Sequence, residues 1–349
     1  MRFTLLFVLL LAPVANAKTT QLRGTAQGTT YHIKFVAAET AVDAWQLQRD
    51  VEELLGQIDL QMSTYRPDSE IMRFNRAKAE EWFPVSRGTA KVVAAARVIS
   101  EKSDGAMDVT VGPLVRLWHF GPPEKLRGAA SKQPFQPPSD DELAEVRKRV
   151  GYKLLDVRLD PPALRKQVDG VEADLSSIAS GYTIDHLAAL VAKRGLKNYM
   201  VELGGEVRAA GMREDGTPWR VAVEKPNAKQ QQMEVAVPLV DAALATAGGT
   251  HKFFEYDGKR YSHIIDPATG RPVEHAMASV TVAADTCLEA DGWDTPLEVL
   301  GSERGFELAE TLGLAAMFIS PAANGDAADE VKKTKAWRMR FEDRAKPSD

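Results

Sequence analysis

Tyr261-Ser-His-Ile-Ile-Asp-Pro-Ala-Thr-Gly-Arg-Pro-Val273 is an extended run that ends in a corner. Lys259 to Ile265 reads as a strand, and Asp257-Gly258 ahead of it is a hairpin signal. Asp266-Pro267 then breaks the strand, and Thr269-Gly270-Arg271-Pro272 turns the chain. By alternation His263 shares a face with Tyr261 and Ile265, opposite Ser262 and Ile264. It lies near the strand end, where loops carry chemistry. Downstream, Leu288-Glu-Ala-Asp-Gly-Trp-Asp-Thr295 gathers acids and a hydroxyl. A base candidate followed by hard oxygen ligands points to phosphate chemistry.

The same hairpin logic extends outward. Leu196 to Val201, Glu206 to Ala210, Trp219 to Glu224, Met233 to Leu239, Ala243 to Ala247 and Phe253 to Tyr256 read as successive strands. Ala278 to Ala283 is one more, and after helices to Leu312 comes Ala315 to Ser320. Near the start, Gly24 to Val36 reads as one strand with His32 on its solvent face. Ala41 to Ile58, Thr89 to Lys102 and Tyr182 to Arg194 carry apolar residues at helical spacing. Ser139-Asp-Asp-Glu142 has the capping pattern of a helix running to Val150. Ala106 to Pro113 reads as extended, Leu114 to Gly121 as a short helix, and Tyr152 to Ala173 as short antiparallel strands. Beyond Ser320 the chain is charged and weakly periodic. The sum is an α+β fold, a mixed, mostly antiparallel core sheet with flanking helices, and not an alternating βαβ series. No GxGxxG and no Walker A motif occurs.

The 349 residues, 44% hydrophobic and 27% charged, suit one large soluble domain with room for two tightly packed lobes. A net charge of -5 argues against a dedicated nucleic-acid binder. Residues 1–17 read as a signal peptide: Arg2 is the positive start, Phe3 to Leu11 the apolar stretch, and Ala15-Asn16-Ala17 the cleavage site. We expect an exported chain beginning at Lys18. No cysteine lies near that site, so we expect no lipid anchor. Cys287 is the only cysteine, which rules out an intrachain disulfide, and its segment reads as core. Residues 18–349 then form the domain, with a mobile, Pro- and Gly-rich insertion near 122–138.

Four further stretches can carry chemistry. Asp174-Leu-Ser-Ser-Ile-Ala-Ser-Gly-Tyr-Thr183 puts small residues and hydroxyls ahead of a helix, where a phosphate or metal can approach, though an ordinary helix cap explains it equally. Glu202-Leu-Gly-Gly-Glu206 is either a close-approach point or a tight turn. Ala245-Thr-Ala-Gly-Gly-Thr250 is either a ligand loop or a bulged hairpin. Asp291 and Thr295, at i and i+4, share a helix face as two hard ligands suited to Mg²⁺. Against that, Thr295-Pro296-Leu297-Glu298 is a good capping box. A helix starting at Thr295 would part the two ligands, and a continuous one would be kinked by Pro296 near Gly292.

Taken in order, these pieces resemble the FAD:protein FMN transferase family, the ApbE-type flavin transferases. The matching segments are Ser63-Thr-Tyr-Arg-Pro-Asp-Ser-Glu70, Asp108-Val-Thr-Val-Gly-Pro113, Asp174 to Asp185, Gly204-Gly205, Tyr261 to Pro272 and Ala290-Asp-Gly-Trp-Asp-Thr295. The resemblance implies a T-fold-like architecture and a periplasmic, Mg²⁺-dependent enzyme. It would move FMN from FAD, through a phosphoester, to a Thr or Ser of a client protein and release AMP. The client would carry an FMN-binding domain within a membrane redox complex. Carried over by residue, Tyr65 lies beside the isoalloxazine ring, Ala106, Met107 and Asp108 form the adenine-side pocket, and Asp174 and Ser180 are FAD contacts. The Ser177 carbonyl, Asp291 and Thr295 hold Mg²⁺, and His263 is the base. Gln27, Ser180, Ala247 and Pro296 depart from the family's usual residues. Two other activities share these features: a periplasmic FAD pyrophosphatase giving FMN and AMP, and a non-catalytic flavin-binding assembly factor.

Overall fold

The computed structural model describes residues 17–38, 42–121, 135–224, 233–248, 253–275, 277, 279–321 and 329–343. The leader through residue 16 and most of the 122–138 insertion lie outside the described residues.

The chain opens with a hairpin rather than one strand. Strands β1 (Lys18–Ala26) and β2 (Thr29–Ala37) pair antiparallel about Gln27-Gly28. Both turn residues take positive φ, 52° and 78°, the conformation that reverses a two-residue hairpin. Helix α1 (Ala44–Met62) starts where the Asp43 carboxylate accepts the amides of Trp45 and Gln46. It buries Leu47, Val51, Leu55, Ile58 and Met62 on one face. Helix α2 (Glu70–Arg76), strand β3 (Phe83–Pro84) and helix α3 (Arg87–Lys102) follow, the two helices capped by Ser69 and Ser86.

Residues 106–111, expected to be extended, form tight turns instead. The Asp108 carboxylate accepts from both the amide and the hydroxyl of Thr110, and Ser103 Oγ accepts from the Met107 amide. Side chains that satisfy nearby amides compete with a sheet ladder, and here they win. Next come α4 (Gly112–Leu117) and α5 (Asp140–Arg147), the latter with the expected capping box of Ser139 and Glu142. Strands β4 (Leu155–Leu159) and β5 (Pro162–Lys166) form a small sheet with β3.

After α6 (Ala179–Lys193) come β6 (Tyr199–Leu203), β7 (Glu206–Ala210), β8 (Trp219–Glu224), β9 (Met233–Leu239) and β10 (Ala242–Ala247). Then follow β11 (Phe253–Tyr256), β12 (Lys259–Ser262), β13 (Ile265–Asp266), β14 (Arg271–Pro272) and β15 (Ser279–Ala284). The described chain closes with α7 (Cys287–Leu312), β16 (Ala315–Ser320), β17 (Glu330–Lys333) and α8 (Lys335–Phe341). An eight-stranded sheet of order β1-β2-β6-β7-β10-β15-β16-β17 is the backbone of the fold. Each neighbouring pair in it is antiparallel. One face packs on α1, α6 and α7, with α3 between α7 and the small sheet, while β8, β9 and α8 cover the other. β15 therefore buries all six of its residues.

Beyond Ser320 the chain is ordered into β17 and α8, against the expectation of a weakly patterned tail. The signal was small but present. Thr334 Oγ1 accepts the Trp337 and Ala316 amides and donates to the Leu314 carbonyl, and Trp337 is buried in the second core layer.

Helix α7 settles the question posed by Pro296. Its first residues are held from outside: Asp185 on α6 accepts the amides of Cys287 and Leu288, and Thr286 accepts that of Glu289. The helix is thus started at Thr286, and Thr295 is not its cap. Pro296 lies inside it, and the non-helical residue is Gly301, at φ 80°, not a position near Gly292. Gly181 brings α6 against α7; a Cβ there would lie 2.3 Å from the Cys287 carbonyl oxygen. Gly181→Ala should cost about 3 kcal/mol by overpacking two backbones that cannot give way. A denaturant midpoint equal to that of the parent would refute the close approach.

Candidate active site

Between α7, the Asp174 loop, the β6–β7 turn and the β12–β13 corner lies a cavity of about 460 Å³. It is lined by Tyr65, Ala106, Met107, Asp108, Asp174, Ser177, His263, Asp291 and Thr295. These residues come from distant parts of the chain, and the fold brings them to one place. Ser180 is not in the lining; it sits in the first turn of α6, beside Gly181. A larger hollow of about 890 Å³ opens near α8, by Asp285, Trp293 and Arg340, and holds none of these groups.

The wall formed by α7 is acidic. Asp291 is buried, and its Oδ2 accepts the Gly181 amide at 2.6 Å. Asp294, also buried, accepts from the Thr295 hydroxyl at 3.1 Å. Burial pushes the Asp291 carboxyl well up from its ordinary value, and the negative charges of Glu206 and Asp185 push it the same way. Burial does the same to Asp294, with Asp291 and Glu206 adding to it. Glu206 enters from the start of β7, its carboxyl pushed up to about 7 by burial and by Glu202. Such crowding of acids suits a site that receives positive charge. Among the described residues no three His, Cys, Asp or Glu groups form a metal cluster. A cation here would instead meet a mixed oxygen set of the Asp291 carboxylate, the Thr295 hydroxyl and the Ser177 carbonyl. That set fits Mg²⁺, which takes few protein ligands beside phosphates and waters.

The opposite wall is built by the Asp174 loop. Asp174 accepts from the amide and the hydroxyl of Ser176, and its own amide donates to the Val109 carbonyl at 2.7 Å. That last bond ties the loop to the Ala106–Asp108 turn. Ser177 Oγ reaches Met107 Sδ at 3.7 Å. Burial pushes the Asp108 carboxyl up, against the pull of its bonds to Thr110. Tyr65 is 53% exposed, an aromatic face presented at the cavity rim. Burial raises its phenol, and the charge of Asp174 adds to this.

His263 does not sit on a continuous strand. β12 ends at Ser262, whose Oγ accepts the Ile264 amide at 3.2 Å, and the ladder resumes only at Ile265. The alternation argument for its facing therefore fails, yet the histidine lines the cavity. Its ring meets Phe120 edge-on, 6.3 Å between centroids. The corner beyond it is clamped: Asp266 accepts the Ala268 amide, and Trp118 stacks on Tyr261 while donating Nε1–H to the Gly270 carbonyl at 2.7 Å.

Sequence reading passed over two of the acids as site residues. Asp294 could have been found from its i, i+3 spacing to Asp291. Glu206 offered no such signal, because the turn preceding it decides where it points. Gly204, Thr246, Ala247 and Gly248 also line the cavity, so both small-residue motifs reach it, while Gly249 and Thr250 lie outside the described residues.

Known proteins resemble the chain over most of its length. The ApbE family profile matches residues 27–318. The chain is 41% identical over 309 residues to the FAD:protein FMN transferase of Vibrio cholerae serotype O1, covering 88% of this chain and 90% of that one. It is 39% identical over 305 residues to the protein of the same name from Escherichia coli K12, covering 87% and 84%. Among solved structures, the flavin transferase ApbE from Vibrio cholerae superposes with a TM-score of 0.82 at 39% identity, over 93% of this chain and 99% of that one. The apo form of the Pseudomonas stutzeri flavinyl transferase ApbE does so at 0.82 and 37%, over 93% and 97%.

Proposed function

The chain belongs to the ApbE family and is a flavin transferase, and from that premise we propose that it moves FMN from FAD to a Thr or Ser hydroxyl of a client protein, releasing AMP. The carrying observation is the cavity that gathers an exposed aromatic, a histidine, and a buried carboxylate with a half-buried hydroxyl one turn on along the same helix. Tyr65 would stack on the flavin at the rim. The Ala106–Asp108 turn would take the adenine side, with Asp174 as a further FAD contact. Ser177, Asp291 and Thr295 would hold Mg²⁺, which when bound neutralises the pyrophosphate of FAD. The client hydroxyl attacks the phosphorus that carries FMN, in line with the bond to AMP. His263 takes the hydroxyl proton as that attack proceeds, a new P–O bond forms to the client, and AMP leaves with the electrons of the old one.

We further propose export to the periplasm by the 1–17 leader, with a client in a membrane redox complex. Mass spectrometry of the exported chain should find Lys18 first. The central test is incubation with FAD, Mg²⁺ and a client FMN-binding domain. Covalent flavin on the client, with AMP in equal amount, is the expected result. An unlabelled client, while a known transferase labels it in parallel, would sink the proposal. AMP without labelled client would make the protein a pyrophosphatase. Tyr65→Ala should weaken FAD binding by about fivefold, the equivalent of about 1 kcal/mol of aromatic stacking. Flavin fluorescence quenching measures this, and unchanged affinity would take Tyr65 away from the ring.

A further inference from the structure

The Gly204-Gly205 turn has a support that the transfer chemistry does not use. His32 on β2 and Glu202 on β6 are direct cross-strand partners. His32 Nδ1 and Glu202 Oε2 are 2.6 Å apart, and Glu202 Oε1 accepts the Gly205 amide at 3.0 Å. A second bond holds the turn from β2, where the Gly204 amide donates to the Thr30 carbonyl at 3.2 Å. The turn itself is conformationally exposed to change, with φ of 68° at Gly204 and 114° at Gly205.

Glu206 follows at once. It pairs with Leu203 across β6–β7, one residue on from Glu202. Alternation therefore puts Glu206 and Leu203 on the sheet face that packs on α6 and α7, and puts Glu202 and His32 on the other. Glu206 reaches the cavity and Glu202 does not. The contact between the turn and the carboxylate is close: a Cβ on Gly204 would lie 3.3 Å from Glu206 Oε2. A shift of the turn is thus a shift of that acid.

We propose that His32 and Glu202 are positioning residues of the transfer site, which hold the glycine turn from behind the sheet and so fix the Glu206 carboxylate opposite Asp291 and Thr295. The inference rests on the reading of the cavity as the transfer site. A hydrogen bond to a charged group, lost from a turn that stays folded, removes about tenfold in rate. Glu202→Ala and His32→Ala should each lower kcat by that factor while the KM for FAD stays within a factor of about two, because the flavin-side residues are untouched. Glu202→Gln keeps an acceptor for Gly205, and His32→Asn keeps a donor at the Nδ1 position, so both should recover most of the rate. The decisive measurement is coupling. In a Glu206→Ala background, Glu202→Ala should cost little more, because both changes remove the same placement.

Flavin transfer by each variant, with FAD affinity read by fluorescence and folding by thermal melting, decides the matter. Full additivity of Glu202→Ala and Glu206→Ala would overturn the proposal, as would unchanged kcat in both alanine variants. Loss of rate in step with a lowered melting temperature, not restored by Glu202→Gln, would reduce the pair to a structural one and overturn it too. Failure of the parent protein to label any client would instead overturn the functional reading on which it stands.

Discussion

Asp291→Asn should leave a folded protein that transfers flavin about a thousandfold more slowly, or not measurably. In the proposed site the carboxylate is one of two side chains on α7 that would hold Mg²⁺, and losing a catalytic cation removes several kcal/mol of charge stabilisation. Asparagine is the sharp substitution because its carbonyl oxygen can still accept the Gly181 amide that Asp291 Oδ2 takes now. The α6–α7 contact therefore survives. Without metal, the variant should even be more stable. The wild-type carboxyl is pushed up by burial, by Glu206 and by Asp185, so the folded chain binds its proton more tightly than the unfolded chain does. The cost of burying it is absent well below pH ~4 and grows as pH rises above that unfolded value. The gain of the Asn variant is then largest at neutral pH and fades in acid. At pH 7 it should melt about 1–2 °C higher in EDTA, for about 1 kcal/mol gained. Mg²⁺ should raise the melting point of the wild type and leave that of the variant unmoved. An equal Mg²⁺ shift in both proteins would remove Asp291 from the metal site, whatever happened to the rate.

The same helix shows what a sequence reveals and what it hides. Asp291 and Thr295 are four apart, and spacing alone puts them on one face. Whether they share a helix was not decidable locally, because Thr295-Pro296-Leu297-Glu298 also spells a start. The answer came from Asp185 on another helix, whose carboxylate takes the first amides of α7. Long-range caps of this kind leave no local trace. The central strands were readable because they are apolar and bounded by turns. The first hairpin was not, because Gln27 gives no warning that it will take a left-handed backbone. His263 shows the opposite error. Alternation is sound for an unbroken ladder, but the Ser262 hydroxyl takes the Ile264 amide, and the strand ends just before the histidine. The histidine was still found, since its place at a strand end and before a turn did not depend on its facing. Glu206 escaped because its direction is set by a glycine turn, and glycine constrains nothing until the neighbouring strands are in place.

His263→Ala should lower flavin transfer by about a hundredfold or more at neutral pH, the usual worth of a positioned general base. FAD affinity should change by less than about threefold, because in the proposed site other walls of the cavity would hold the flavin. The ring has a second contact that must be separated from this role: it meets Phe120 edge-on, and that aromatic group extends through Phe254 to Phe135. Removing the imidazole opens space beside Phe120, so lost packing alone could slow the enzyme. The pH dependence distinguishes the two. A protein without its base relies on the small fraction of client hydroxyl that is already ionised, and that fraction rises tenfold per pH unit. The residual rate of His263→Ala should therefore climb steadily with pH, while that of the wild type levels off. A packing defect would lower both curves without changing their shape. His263→Gln is the companion variant, since it refills the space beside Phe120 but cannot take a proton near neutral pH. It should be as slow as the alanine variant and show the same climb. Wild-type transfer by either variant would remove His263 as the base. A fall in FAD affinity as large as the fall in rate would assign the ring to binding and leave the proton acceptor to be sought among the cavity's carboxylates.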